Sequence, residues 1–318
     1  MDIDLIYENK ILCEFVYSPL REMQCALHVL CDSSHHLHRK KWVDKVNEKI
    51  DGKLKKQLKE FGEITMDFLI SMDFTTHFKE CNQLDILSSI DFLIDVPFYK
   101  INKMFKEYKK TITSIEYHNL LDFLKVFYIE VFREELKYIE PLLIRILKRK
   151  SEYAKENGVF NFIDTIHERI KIEDGVIIFY KYKEFRFQLK DIKNITIYIS
   201  TFISPHLLLG YEKKSIDLTM LVELQEYEKI PPIDLEKRLK AIGDGTRLRI
   251  LKEIGTKGKT TQELSIKLNI SEAAVSKALK LLYDSKLVDK TRAGNYIIYN
   301  LNTIEIDYLP YKIYEYLM

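Results

Sequence analysis

The 318-residue sequence has no run of about 18 uninterrupted apolar residues, the length a helix needs to cross a bilayer. Its start, Met1-Asp2-Ile3-Asp4, lacks the basic and then apolar pattern of a secretory signal, so a cytoplasmic location and no membrane partner are expected. Four cysteines, Cys13, Cys25, Cys31 and Cys81, all fall in the first 81 residues and form no C-x-x-C pair. In a reducing compartment they are expected as free thiols. G-x-G-x-x-G, the P-loop, G-x-S-x-G and H-E-x-x-H are all missing, which removes the local signatures of dinucleotide, phosphate, serine-hydrolase and zinc-protease chemistry. No catalytic residue, resident cofactor or metal is therefore assigned, and the chain is expected not to be an enzyme. Internal repeats and low-complexity tracts are absent too.

What is present is an ordinary globular composition, long enough for two domains. The charge is uneven. Residues 229–303 hold 15 Lys and Arg against 8 Asp and Glu, a local charge of +7, and leave 35 basic against 40 acidic residues elsewhere. A basic module joined to a mildly acidic remainder is the footprint of a protein whose one part meets phosphates, although a solvated lysine face gives the same count.

The fold expected is α+β and mostly helical. Residues 3–17 supply one or two short strands, and Ser18-Pro19 reads as an N-cap followed by proline at the first helical position. Leu20, Met23, Leu27 and Leu30 then share a face. From Trp42 to Asn157 the period is helical, through Val43, Val46, Ile50, Leu54 and Leu58 and later through Leu120, Leu121, Leu124, Phe127 and Val131. Pro97 and Pro141 are expected to mark breaks or helix starts. After Asp174-Gly175 the period falls to two, and 176–180, 185–189 and 195–199 read as a three-stranded antiparallel meander. A helical stretch over 218–227 leads to Pro231-Pro232, a stiff boundary. The domains are placed at 1–228, sensory or for assembly, and 229–318.

In the second domain the order is four helices and a hairpin. Leu235–Ile242 forms the first helix. Asp244 caps the second, with Leu248, Ile250, Leu251 and Ile254 inward. Thr260-Thr261-Gln262-Glu263 is a capping box. Asn269 suits a left-handed turn, and Ser271 caps the next helix, so that Leu264, Leu268, Val275, Leu279 and Leu282 face inward. Two helices joined this way make a helix-turn-helix. Residues 286–292 and 296–301 follow as strands around Ala293-Gly294-Asn295, a small basic wing.

The run from Leu239 to Leu251, LKAIGDGTRLRIL, resembles the opening of ArsR-type regulators. The likeness continues through Gln262-Glu263-Leu264, Ile270-Ser271, Val275-Ser276, Leu279-Lys280, Leu287-Val288 and Gly294 to Tyr299, about 75 residues in all. The resemblance implies a winged helix-turn-helix transcriptional regulator, a homodimer reading a roughly palindromic duplex, with the recognition helix 271–284 in the major groove and the wing 287–301 on the backbone. It implies that Ser271, Glu272, Ala274, Ser276 and Lys277 face base edges or nearby phosphates, that Lys280 and Thr260 hold phosphates, and that Lys290, Arg292, Asn295 and Tyr296 belong to the wing. Lys277 and Lys280 supply charge, and Ala274 is short enough for close approach to a thymine methyl. Glu272 has two readings, acceptor from a cytosine amine or solvated complement of the helix dipole. Arg292 likewise reads as a phosphate ligand or a solvent-facing residue. A winged-helix adaptor that binds protein rather than specific DNA is the alternative function.

The sequence departs from that family in two ways. Gly245 stands where proline is common. The metal motif is missing as well, since 261–268 contains no cysteine and nothing after Leu301 is histidine. Any signal, including an unknown small-molecule effector, is thus expected to enter through the first domain. There Cys25-x-x-His28-x-x-Cys31, followed by His35, His36 and His38, reads either as a metal or thiol sensor or as ordinary packing. The 20 tyrosines and 17 phenylalanines could line a ligand pocket, but at helical spacing they read first as core.

Overall fold

The computed structural model describes residues 2–34, 36–224, 233–294 and 296–317. The chain divides into two compact units, 1–224 and 225–318. It is α+β and mostly helical. No described helix is long and apolar enough to cross a membrane.

Unit 1 begins with β1 (Asp2–Glu8) and β2 (Ile11–Val16), then α1 (Pro19–Cys31), α2 (Lys40–Lys49), α3 (Gly52–Thr65), the single turns α4 (Leu69–Met72) and α5 (Phe74–His77), α6 (Ile86–Asp95), α7 (Phe98–Glu107) and α8 (Ser114–Phe127). A π-helical turn over Tyr128–Phe132 passes into α9 (Arg133–Asn157), followed by α10 (Val159–Asp164). The remaining elements of the unit are β3 (Ile170–Glu173), β4 (Val176–Tyr180), β5 (Glu184–Gln188), β6 (Asn194–Ser200), β7 (Leu209–Glu212) and β8 (Ser215–Leu221).

The strands form two sheets. The larger is mixed, in the order β1-β2-β6-β8-β7, with β2, β6 and β8 parallel and both edges antiparallel. In β6 every residue after Asn194 is buried, and so is the interior of β8, the pattern of strands covered on both faces. Helices α1 and α9 both pack against β6. The smaller sheet is the antiparallel meander β3-β4-β5. Its Asp174-Gly175 turn has φ of 50° and 74°, the left-handed pair that a two-residue hairpin requires.

Three expectations are corrected here. Residues 195–199 are not the third meander strand: they form most of β6 in the other sheet, and β3 takes their place. The stretch expected as helical from 218 is strand as far as Leu221, because Ile216, Leu218 and Met220 pair in parallel register with β6. A fully buried parallel strand has no alternation to distinguish it from buried helix. Its continuation 225–227, like Pro231-Pro232, lies outside the described residues. Pro141 sits within the 25-residue α9 and breaks nothing, while Ile139, Leu142, Leu143, Ile146 and Leu147 around it are all buried. Pro97 does precede a helix, as the N-cap of α7.

The centre of unit 1 is α1. Ser18 caps it, accepting from the Arg21 amide at 3.3 Å, and twelve of its thirteen residues are buried. The buried polar side chains are all engaged. Arg21 donates to Thr219 Oγ1 (3.3 and 3.4 Å), Met72 O (3.2 Å) and Thr75 Oγ1 (3.2 Å), and lies 4.3 Å from the centre of the Tyr198 ring. Glu22 accepts from the Thr201 amide at 3.0 Å and its hydroxyl at 2.8 Å. Ser71 donates to Gln24 at 2.5 Å. Burial pushes the Asp217 carboxyl above its ordinary range, with the Arg21 guanidinium pulling the other way.

Unit 2 contains α11 (Ile233–Ile242), α12 (Gly245–Ile254), α13 (Thr261–Leu268), α14 (Glu272–Asp284), the hairpin β9 (Val288–Ala293) and β10 (Tyr296–Leu301), and α15 (Thr303–Leu317). Its core joins Ala241, Ile250, Leu251, Ile254, Leu264, Val275, Ala278, Leu279, Leu282, Leu287 and Val288. Leu248, expected inward, is 52% exposed. The buried stripe of α12 runs through 250, 251 and 254, and Arg247 extends it by bonding the Ala241 and Lys240 carbonyls at 2.5 and 2.8 Å. Lys259 pairs with Tyr299 through both amides, at 3.1 and 2.9 Å, so the loop before α13 is a short third strand beside β10. Gly258 makes that approach possible, since a Cβ there would lie 2.7 Å from Ile298 Cγ2. On α15, Glu305 accepts from Arg238 at 2.8 Å and from Lys312 at 2.9 Å, both cations being nearly fully buried.

Two stability measurements follow. Arg21→Ala should cost unit 1 about 3–5 kcal/mol, because it leaves buried partners of the network without their cation. The readout is the urea midpoint followed through Trp42, the single tryptophan, which lies in unit 1. A loss below about 1 kcal/mol would show that the network contributes little. Glu305→Ala should destabilise unit 2 by roughly 3 kcal/mol, since Arg238 and Lys312 lose their shared carboxylate. Amide exchange in α11 and α15 would quicken, and unchanged exchange there would contradict this role.

Candidate nucleic-acid interface

The boundaries of α13 and α14 are set by side chains that act on the backbone. Thr260 accepts from the Glu263 amide at 3.2 Å, while Glu263 accepts from the Thr260 amide at 2.7 Å and its hydroxyl at 2.9 Å. Those two donors hold the Glu263 carboxyl below its ordinary range. The box fixes where α13 starts and commits the one hydroxyl proton of Thr260. At the other end Asn269 adopts φ 53°, ψ 51°, a left-handed turn. Ser271 then caps α14, accepting from the Ala274 amide at 3.2 Å.

This turn buries one side of α14 and exposes the other. Val275, Ala278, Leu279 and Leu282 are buried against α12, α13 and β9. Ser271, Glu272, Ala274, Ser276, Lys277 and Lys280 are all exposed, so six of the expected residues share one open surface. Among the described residues no carboxylate pairs with Lys277 or Lys280. Glu272 stands at the first position of α14, where its charge complements the free amides of the helix start. The surface therefore offers two cations and short polar or apolar side chains beside a helix N-terminus. That set can hold phosphates and approach base edges closely.

The hairpin follows directly. Lys290, Arg292 and Tyr296 are exposed. Arg292 Nε donates to Gly294 O at 3.2 Å, which folds the guanidinium over the turn. The Lys290 ammonium lies 4.2 Å from the ring centre of Tyr283 on α14, a contact worth about 0.5–1 kcal/mol at an exposed site. Tyr283 was not picked out from sequence, because only the fold brings it next to the hairpin. Asn295 lies outside the described residues.

In unit 1 Cys25, His28 and Cys31 do not group as a metal site, and the packing reading describes the two cysteines. Cys25 is fully buried with its Sγ 4.0 Å from Met72 Sδ, and Cys31 Sγ is directed to the Leu58 carbonyl. Burial pushes both thiols up to about 12, far from the thiolate a sensor needs. Among the described residues the fold instead groups His28 and His36 with His206, which no sequence spacing could flag. His38 stays outside that group, and His35 lies outside the described residues. The aromatics serve mainly as core: Phe61, Phe68, Phe123, Phe127 and Phe132 are buried in a chain of ring contacts.

Residues 1–99 match a protein family described as a family of unknown function (DUF5937). Over 73 residues the chain is 33% identical to the arsenical resistance operon repressor of Bacillus subtilis (strain 168), covering 70% of that protein and 23% of this chain. Among solved structures it is similar to an ArsR-like transcriptional regulator from Rhodococcus sp. RHA1, with 28% identity, a TM-score of 0.24, and 24% and 73% of the two chains covered. Reduced HlyU from Vibrio cholerae N16961 gives 26% identity and a TM-score of 0.22, covering 26% of this chain and 90% of that one. The repressor is matched over more than two thirds of its length, and on that likeness the chain belongs to the ArsR family of transcriptional regulators.

Proposed function

We propose that unit 2 is a winged helix-turn-helix that binds double-stranded DNA in a sequence-selective manner, and that unit 1 regulates it. The observation that carries this reading is the exposed face of α14. Ser271, Glu272, Ala274, Ser276, Lys277 and Lys280 are open to solvent beside a basic hairpin, while Val275, Ala278, Leu279 and Leu282 are packed into the core. In the proposed complex α14 enters the major groove and the hairpin rests on the sugar-phosphate backbone.

The exposure of these side chains supports the following roles. Lys277 and Lys280 neutralise phosphates or reach base edges, Ser271 and Ser276 offer hydroxyls, and Ala274 leaves room for a thymine methyl. Glu272 either accepts from a cytosine amine or supports the helix start. Thr260 acts through the capping box, fixing α13 against the backbone rather than donating to a phosphate. Lys290, Arg292, Asn295 and Tyr296 belong to the wing.

A homodimer is part of the proposal, since two-fold half-sites are the usual means by which such a module reaches useful affinity. Exposed apolar residues on α15 (Ile304, Tyr314, Leu317) and Leu239 on α11 offer a surface for it.

Genome-wide binding-site selection with the full chain should return a shared, roughly palindromic motif, and recovery of random fragments would remove the reading in favour of an adaptor role. On the selected duplex, Lys277→Ala and Lys280→Ala should each weaken binding about 5- to 50-fold at moderate salt. For a lysine that contacts phosphate, the slope of log affinity against log salt should flatten by about one. Fluorescence anisotropy across a salt series measures both.

A further inference from the structure

We propose that His28, His36 and His206 in unit 1 form a binding site for a divalent transition-metal ion of the zinc type. His28 lies in the last turn of α1, His36 just before the short 3-10 turn Leu37–Arg39, and His206 in the segment between β6 and β7. One ligand atom from each lies within 4.8 Å of the others. The ring centres are 5.0, 5.5 and 4.8 Å apart, with interplanar angles of 77°, 50° and 67°. None of the three ring pairs is stacked.

The hydrogen bonds orient two of the rings for this task. His28 Nδ1 lies 2.7 Å from the Asp67 carbonyl oxygen, and His36 Nδ1 lies 2.7 Å from the Ser204 carbonyl oxygen. A carbonyl only accepts, so both Nδ1 atoms carry hydrogen, and in the neutral imidazole the lone pair is then on Nε2. A backbone carbonyl on the far nitrogen is the usual support of a metal-binding histidine, fixing tautomer and ring direction. Around a tetrahedral ion with bonds of about 2.0–2.1 Å, ligand nitrogens lie roughly 3.3 Å apart, so on binding the group closes from a present spread of up to 4.8 Å.

The surroundings select the kind of ion. Three imidazoles without a carboxylate in the group suit zinc, cobalt, nickel or copper, and not magnesium or calcium, which need oxygen. His28 and His36 are buried, at 8% and 1% exposure, whereas His206 is half-buried. His206 and Ser204 also line a cleft of about 200 Å³ that includes Thr219 and Arg169. Of the three histidines only His206 borders this cleft, which Glu168 and His167 also line, so the group is reached from the His206 side. Three protein ligands and one open position make a site that can exchange its fourth partner. The proposal does not depend on what unit 2 binds.

The test uses the full chain stripped with chelator and then titrated with Co²⁺, read by its visible absorption, and with Zn²⁺ by calorimetry. One equivalent per chain is expected. His36→Ala and His206→Ala should each lower affinity at least 10-fold, while His118→Ala, at an exposed histidine elsewhere, and Cys25→Ser should bind as the unmodified chain does. Trp42 fluorescence checks that each variant is folded, and His206→Ala, at the least buried ligand, decides the matter if His36→Ala is not. No saturable binding at micromolar metal, undiminished binding by a folded His206→Ala, or loss of binding in a folded Cys25→Ser would each overturn the assignment.

Discussion

Unit 1 depends on the burial of α1. A helix enclosed on nearly every side would ordinarily be apolar all round, yet α1 carries Arg21, Glu22, Gln24 and His28 into the interior. Each must meet a partner there, since an unpaired buried polar group costs about 1–3 kcal/mol and an unpaired charge more. The partners come from distant parts of the chain: Thr219 on β8, Thr201 after β6, Ser71 on α4 and the Asp67 carbonyl. Hydrophobic contact alone would tolerate small shifts of α1 along the sheet. The hydrogen bonds do not, and they tie α1 to β8 and to the segment that follows β6.

Unit 2 uses polar groups differently, at helix ends and on its surface. The Asp244 cap, the Thr260–Glu263 box, the left-handed Asn269 and the Ser271 cap set four boundaries within 28 residues. Between them short apolar stripes meet in one core. Sharp boundaries are what give α14 an open first turn, because a frayed or extended helix would cover Ser271 to Ala274 with its own chain. Glu305, Arg238 and Lys312 place a largely buried ion cluster between the first and last helices described in this unit. The two units thus put charge in opposite places, inside for unit 1 and mostly outside for unit 2.

That contrast governs how much could be read from sequence. Caps, turns and amphipathic stripes are local, so Ser18, Asp244, Thr260, Asn269 and Ser271 were legible as the residues that bound their helices, as was the exposed lysine pair. The fully buried strand at 215–221 was not, since burial on both faces erases the alternation that marks a strand. Nor was the assignment of 194–200 to the larger sheet, because β2, its partner, lies some 180 residues earlier. The spacing of Cys25, His28 and Cys31 left a sensor and ordinary packing both open, and only the burial of α1 decided for packing of the cysteines.

The sequence by itself determined the local units: most of the helices, where those of unit 2 start and stop, which side of α14 meets solvent, and that the basic charge collects in the last quarter of the chain. Propensity, capping and periodicity act over a few residues and are written there. Tertiary structure alone decided the strand order of unit 1, the partners of the buried groups on α1, the placing of Tyr283 under Lys290, and the meeting of His28 and His36 with His206. Those depend on contacts between residues far apart in the chain, which form only in the one packing arrangement that brings these distant segments together.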